Sequence, residues 1–216
     1  MWHKIHNGIY RHKNAIKETD LNYILDKMKS VEYYQINSED RQIYINKTFY
    51  NYNQSKYEIY KDTKALTVIK NLVDKCFLFT GQKMNTSNVD SSFKLSTKFF
   101  NENSSYGLHF EDPTYFGNYF FVLYLDDCVE GDLVFPTMNM VNKLLKNQKE
   151  NKEEWEKGVI HLKKNGYSPL FVDREIKIRP EKNTALLAKI PLVHYVNNII
   201  KNGNNLQRPV INGFFL

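Results

Sequence analysis

The chain has 216 residues, 42% of them hydrophobic and 25% charged, which suits a single globular domain with a real core, and its nine Gly and six Pro exclude collagen-like and low-complexity classes. Thirty basic against 24 acidic residues leave a formal charge of +6, and no Lys/Arg cluster gathers that surplus into a recognisable motif, so a solvated surface is expected and a nucleic-acid partner is not. The longest apolar run, residues 119–125, is too short to cross a bilayer, and Trp2-His3-Lys4-Ile5-His6 is no signal peptide; a cytoplasmic protein without a membrane partner is expected.

Residues 1–81 read as mixed but helix-dominated. Thr19-Asp20 can cap a helix whose apolar positions Leu21, Ile24, Leu25 and Met28 recur at helical spacing. Ile43-Tyr44-Ile45 reads as a short strand. Asp62 or Thr63 opens a second helix with Leu66, Ile69, Val73 and Phe77 on one face and Gly81 just past its end. Residues 82–92 are polar and turn-rich, equally suited to an ordinary connection or to a loop that grips substrate.

From about residue 93 the pattern changes to strands. Ser92-Phe93-Lys94-Leu95-Ser96 alternates and Phe99-Phe100 continues it; residues 101–105 form a turn cluster. Residues 119–125 suit a strand buried on both faces, and Leu133-Val134-Phe135 a shorter one stopped by Pro136. Residues 141–166 are dense in Lys, Glu and Asn, with a stripe of Val141, Leu144, Leu145, Trp155 and Val159 and a supporting pair Glu153/Lys157; a solvated surface helix is preferred over a lid. Strands return at 176–178, 184–188, 192–196 and 210–216, with Gly203-Asn204 as a turn. Cys76 and Cys128 have neither a disulfide framework nor a zinc spacing around them. The expected architecture is β-rich α+β: a barrel or two-sheet jelly roll decorated with helices, in one domain over 1–216.

Chemistry concentrates on two of the six histidines. His3, His6 and His12 crowd the N-terminus without a carboxylate at defined spacing, and His161 lies in the Lys-rich insertion, where a solvent-facing ring is the default. His109 and Glu111, two apart on a strand, project from the same face while Phe110 turns into the opposite layer. An imidazole and a carboxylate so placed are two corners of a metal site, and one further His from a distant strand would complete the 2-His-1-carboxylate arrangement of non-haem Fe(II) oxygenases. Asp112 competes as the carboxylate, but alternation puts Glu111 on the face of His109. His194, in the apolar run Pro191-Leu192-Val193-His194-Tyr195-Val196, is by itself more often a core histidine than a ligand. Arg208, opening the last apolar strand, can bind a carboxylate bidentately.

The order of these motifs resembles the Fe(II)- and 2-oxoglutarate-dependent oxygenases, in their prolyl-4-hydroxylase-like branch, over roughly residues 93–216. His109-Phe110-Glu111-Asp112-Pro113 is similar to the family's His-x-Asp followed by a residue and Pro. Tyr124-Leu125-Asp126 is similar to its Tyr-Leu-Asn, Gly131-Asp132-Leu133 to its Gly-Gly-x-Leu turn, and Arg208, Ile211, Phe214 and Phe215 to its closing strand. The resemblance implies a double-stranded β-helix (jelly roll, cupin-like) core, with residues 1–92 as helical and strand support packed on one sheet and a helical insertion at about 137–172. It implies that His109, Glu111 and His194 hold Fe(II), that Arg208 and Tyr124 bind the distal carboxylate of 2-oxoglutarate, and that Tyr106 and Asn212 stand near the metal. O₂ is then the second cosubstrate and ascorbate an accessory reductant. The implied activity is hydroxylation of a C–H bond with release of succinate and CO₂, with prolyl residues of a protein or peptide as the first expectation. The alternatives are the same chemistry on a free amino acid, a small metabolite or a nucleobase, or a jelly-roll binding protein without catalysis. Three departures stand out: Glu where this branch has Asp, a longer His194-to-Arg208 spacing, and Phe99 where many relatives place a Tyr that touches the cosubstrate.

Overall fold

The computed structural model describes residues 1–40, 48–81, 93–101, 104–146, 149–199 and 207–215. In chain order the elements are β1 (Trp2–His6), β2 (Ile9–Lys13), α1 (Glu18–Ser30), β3 (Tyr33–Asp40), β4 (Thr48–Ser55), α2 (Thr63–Thr80), β5 (Phe93–Asn101), β6 (Tyr106–His109), α3 (Pro113–Phe116), β7 (Tyr119–Tyr124), β8 (Leu133–Phe135), α4 (Met138–Lys146), α5 (Lys149–Lys164), β9 (Ile176–Ile178), β10 (Thr184–Lys189), β11 (His194–Val196) and β12 (Gln207–Phe215). They form an eight-stranded sheet, β1-β2-β10-β7-β12-β5-β4-β3, and a four-stranded sheet, β6-β11-β8-β9. This is a β-rich, jelly-roll-like core with α1 and α2 on the outside of the larger sheet. No helix among the described residues is long and apolar enough to cross a membrane.

At the centre of the larger sheet β7 is buried on both faces, which is why it reads as an unbroken aromatic and aliphatic run. Its outer face carries Leu95, Phe99, Phe121, Leu123, Leu187 and Ile211 against Leu21, Ile24 and Met28 of α1 and Ile69, Val73 and Phe77 of α2. The inner face turns Phe120 and Leu186 toward Leu133 and Phe135 of β8 and Ile176 and Ile178 of β9. The period-two side-chain rule therefore splits each central strand into a helix-facing set and a cavity-facing set.

The ends of α2 follow the sequence signals. The Asp62 side chain accepts a hydrogen bond from the Ala65 amide at 3.0 Å, and Gly81 at φ 72° donates back to the carbonyls of Phe77 and Leu78. The start of α1 differs from expectation: Thr19 and Asp20 lie inside the first turn, and Lys17 precedes the helix without a side-chain cap. Glu18 and Asp20 instead place acid in the first turn, favourable toward the positive helix end.

Residues 1–81 hold more strand than expected. β1 through β4 supply four of the eight strands in the large sheet, two at each end. The signal for the first pair was Asn7-Gly8: His6 pairs with Ile9, so these two residues form the hairpin loop, and Gly8 takes φ 81° as such a turn demands. Ile43-Tyr44-Ile45, residues 82–92 and Gly203-Asn204 lie outside the described residues.

The insertion is two helices rather than one. Val141 and Leu145 of α4 and Trp155 of α5 bury against Leu108 and Val193, flanking the small sheet. Lys157 pairs with Glu154 at 2.6 Å, not with Glu153; both partners are more than half exposed, so the pair adds little. β11 spans only three residues because Leu192, just before it, bridges Leu170 instead.

Candidate metal and cosubstrate site

His109 closes β6 and His194 opens β11, and the two are directly paired across the antiparallel ladder. That register sets the imidazole centroids 4.3 Å apart. Glu111 follows two residues after His109 and puts Oε1 3.5 Å from Nε2 of each histidine. The three groups offer ligand atoms that all lie within 4.8 Å of one another. His109 Nδ1 lies 2.7 Å from the Gly107 carbonyl and His194 Nδ1 2.9 Å from the Leu192 carbonyl. A carbonyl only accepts, so each Nδ1 carries the proton and donates it, leaving the Nε2 lone pairs aimed at the common point.

The electrostatics agree with a site built for a cation. Burial pushes the His194 imidazolium pKa down to about 4 against the pull of Glu111, so this ring is neutral at physiological pH. Burial also acts on Glu111, but the two facing imidazoles outweigh it and hold the carboxyl below its ordinary range. For His109, burial is outweighed by the Glu111 carboxylate 3.5 Å from Nε2, which favours a proton there and raises the pKa; a metal ion at Nε2 would take that proton's place and leave the ring neutral. Glu111 Oε2 is buried with no hydrogen-bond partner. An ionised oxygen in that condition is expensive unless a cation takes it, and two neutral nitrogen donors plus one carboxylate suit a divalent first-row metal.

Asp112, the competing carboxylate, turns away. It caps α3 by accepting from the Thr114 amide at 2.9 Å and the Thr114 hydroxyl at 2.7 Å, and it meets His161 Nε2 at 2.9 Å. His161 is thus a tie between α5 and the loop after Glu111, which its Lys-rich surroundings concealed. Of the N-terminal histidines, His6 contacts Asp173 at 3.1 Å, far in sequence from the site.

A cavity of about 510 Å³ between the sheets contains His109, Glu111 and His194 together with Arg208, Tyr124, Tyr106 and Asn212. Arg208 is only 3% exposed. It lies over the rings of Phe100 and Tyr124, 5.2 and 5.6 Å from their centroids, and its Nη1 donates to the Gly131 carbonyl at 2.9 Å. Its Nε is buried without a hydrogen-bond partner. Gly131 is required here: at φ 106°, an added Cβ would come within 2.9 Å of both Arg208 Nη1 and Ile199 Cγ1. Burial raises the Tyr124 hydroxyl to about 12 despite the opposing Arg208 charge, so it keeps its proton and can donate. The Tyr106 ring stands 6.1 Å from the His109 ring, and Asn212 accepts from the Ser96 hydroxyl at 2.8 Å.

Phe99 requires a correction. It packs with the α1/α2 side of the large sheet, so it does not occupy a place beside the cosubstrate. Phe100 is the β5 residue facing Arg208, because the strand phase puts even-numbered positions on the inner face. The same phase puts Lys98 in the cavity wall, a residue that sequence reasoning passed over. Alternation through Ser96, Lys98 and Phe100 was the available signal.

No family model matches the sequence, and no curated protein matches it. Solved structures do match. A 2OG-Fe(II) oxygenase family oxidoreductase from Burkholderia pseudomallei superposes with TM-score 0.55 at 9% identity, covering 97% of this chain and 85% of that one. HygX from Streptomyces hygroscopicus, with nickel and 2-oxoglutarate bound, gives 0.53 at 11% identity, covering 95% and 81%. A Pseudomonas putida prolyl-4-hydroxylase gives 0.54 at 12% identity, covering 96% and 91%. The fold is the one used by the 2-oxoglutarate- and Fe(II)-dependent oxygenases.

Proposed function

We propose that this chain is an Fe(II)- and 2-oxoglutarate-dependent dioxygenase that hydroxylates a C–H bond, with prolyl residues of a peptide or protein as its substrate. The observation that carries the reading is the meeting, in one cavity, of a His-Glu-His group whose ligand atoms lie within 4.8 Å of one another and a buried arginine with an unsatisfied Nε. The likeness to a prolyl-4-hydroxylase supports the finer assignment.

His109 and His194 would hold the metal through Nε2 and Glu111 through its carboxylate. Neutral imidazoles and a single carboxylate leave a net positive centre on a divalent ion, which favours an anionic bidentate 2-oxo acid over a neutral ligand. Arg208 answers the far carboxylate of the five-carbon diacid; its planar fork selects a carboxylate at that depth, since a buried guanidinium left without an anion is costly. Tyr124 donates its retained proton to the same carboxylate. Phe116, Phe120, Val122 and Phe214 line the remaining wall and keep water from the reacting centre. Ferrous iron, 2-oxoglutarate and O₂ supply the oxidising power for the hydroxylation, with succinate and CO₂ as co-products.

Purified protein supplied with Fe(II), 2-oxoglutarate and a proline-rich peptide library tests the reading. Succinate that depends on both additions, and a gain of one oxygen on a prolyl residue, are expected; both vanish in His194→Ala. Metal-replete wild-type protein that binds no 2-oxoglutarate overturns it.

A further inference from the structure

His109 is the last residue of β6 and His194 the first of β11, and Glu111 lies beyond the strand altogether. Strand ends are where ladders open first, so pairing alone is a poor hold for three groups that must meet at one point. Glu111 also has one more rotatable side-chain bond than an aspartate, which puts more weight on a fixed backbone beneath it.

The hold comes from behind. Alternation turns the three groups into the cavity and their chain neighbours outward, toward the insertion helices. Leu108 and Phe110 flank His109, Phe110 also precedes Glu111, and Val193 and Tyr195 flank His194; all four join the apolar cluster of Val141, Leu145 and Trp155. Trp155 touches both halves of the site. The Phe110 ring meets it edge-on, 5.1 Å between centroids, and the Phe171 ring lies 6.4 Å from it. Phe171 follows Leu170, whose carbonyl accepts from the Val193 amide at 3.0 Å. Further along α5, His161 Nε2 meets Asp112, the residue after Glu111, at 2.9 Å. Glu111 is thus bracketed, with α5 touching the residue before it and the residue after it.

We propose that α5 is the positioning element of the metal site: Trp155, aided by His161, fixes the backbone that aims Glu111 and the two histidines at one ion. This rests on the oxygenase reading given above. Both side chains lie outside the cavity lining, so they act through the neighbours of the ligands and touch neither metal nor cosubstrate. Trp155 is buried and carries the larger share; His161 is more than half exposed and carries the smaller.

The test titrates full-length protein calorimetrically with Mn(II). Trp155→Ala is expected to weaken binding by about tenfold, the low end of what losing a partner of a metal ligand costs. His161→Ala should weaken it by about threefold, as the loss of an exposed tie allows. Trp155→Phe and His161→Gln, which restore a ring edge and an N–H donor, should stay within about twofold of wild type. Asp62→Ala lowers Tm from the helix-covered face of the large sheet, and its Mn(II) affinity should also stay within about twofold. Where Trp155→Ala does not fold, Trp155→Leu, which fills the cluster without a ring edge, carries the same expectations.

An affinity in Trp155→Ala within about twofold of wild type overturns the proposal. So does an equal loss in Asp62→Ala, because general loosening would then explain both. Amide hydrogen exchange on metal-free protein gives the second readout. Residues 106–116 should exchange about tenfold faster relative to β7 in Trp155→Ala, with that ratio unchanged in Asp62→Ala. A ratio unmoved by Trp155→Ala overturns the proposal as well. Wild-type protein that binds no Mn(II) sinks the oxygenase reading instead, and the exchange ratio then still decides whether α5 holds the His-Glu-His group in place.

Discussion

His109 and His194 are direct partners across the β6/β11 ladder, with ring centroids 4.3 Å apart and each Nδ1 turned to a backbone carbonyl of its own segment. Their separation is thus set by strand pairing and their tautomers by the backbone, before any metal arrives. Adding Glu111 to this pair makes a preorganised site, and preorganisation is what makes its variants informative.

Removing a ligand should cost far more than removing a neighbour. Glu111→Gln is expected to weaken Mn(II) binding by about 100-fold or more, whereas Asp112→Asn, which alters only the cap of α3, should change it by less than about tenfold. Calorimetric titration with Mn(II) distinguishes the two carboxylates directly. Equal losses in both variants would place Asp112 among the ligands.

Metal should also stabilise the native state. At a free Mn(II) concentration about 100 times the dissociation constant, linkage predicts a gain of about 2.7 kcal/mol, read as a rise in Tm by scanning calorimetry. The rise should disappear in His194→Ala. A Tm that ignores Mn(II) in the wild type would contradict a built metal site.

Gly131→Ala acts at a distance from the metal. The added methyl meets Arg208 Nη1 and Ile199 at 2.9 Å on a backbone with φ 106°, so the guanidinium has to shift. Affinity for 2-oxoglutarate should fall by about tenfold or more, the cost of a disturbed charged hydrogen bond, with Mn(II) affinity little changed. Calorimetric titration with Mn(II), followed by titration of the Mn(II)-loaded protein with 2-oxoglutarate, reads the two quantities.

Arg208→Met removes the cation but keeps the apolar stem over Phe100 and Tyr124. Discrimination between 2-oxoglutarate and pyruvate, which lacks the far carboxylate, should collapse by about 100-fold. Arg208→Lys should recover only part of it, because an ammonium cannot reproduce the planar fork. Competition binding with the two acids gives the ratio.

Asp62 controls stability rather than chemistry. It accepts from the Ala65 amide and from the hydroxyls of Tyr23 and Tyr57, at 3.0, 2.8 and 2.7 Å, tying α1 to the start of α2. Asp62→Ala should cost about 2 kcal/mol from the lost cap and its charged hydrogen bonds, measured by urea unfolding at pH 7. Burial acts against the Asp62 charge, but these three donors outweigh it and hold its folded-state pKa below the ordinary value. The stabilisation is therefore complete above the ordinary carboxylate pKa and disappears as pH falls through the lower folded value. The gap between wild type and variant should narrow in that acid range.

Local periodicity carried much of the architecture. The stripes of α1 and α2, the Asp62 and Gly81 ends of α2 and the buried run of β7 are written in adjacent residues, and each appears where the sequence puts it. β1 and β2 were less legible because at that end of the sheet they are only partly buried and show no clean alternation, leaving Asn7-Gly8 as the punctuation. Glu111 was preferred to Asp112 by alternation alone, and the same rule, carried through β5, would have exchanged Phe99 for Phe100 and brought Lys98 into view.

The amino-acid order determined by itself which residue types were available for chemistry and which short segments were helix or strand, because those depend on neighbours a few positions apart. Only the tertiary structure decided that His109 faces His194, that Arg208 rests against the Gly131 carbonyl, and that Lys98 shares their cavity. Those relationships depend on ladder register and sheet facing between segments up to about a hundred residues apart, and a shift of one residue would turn each side chain to the opposite face.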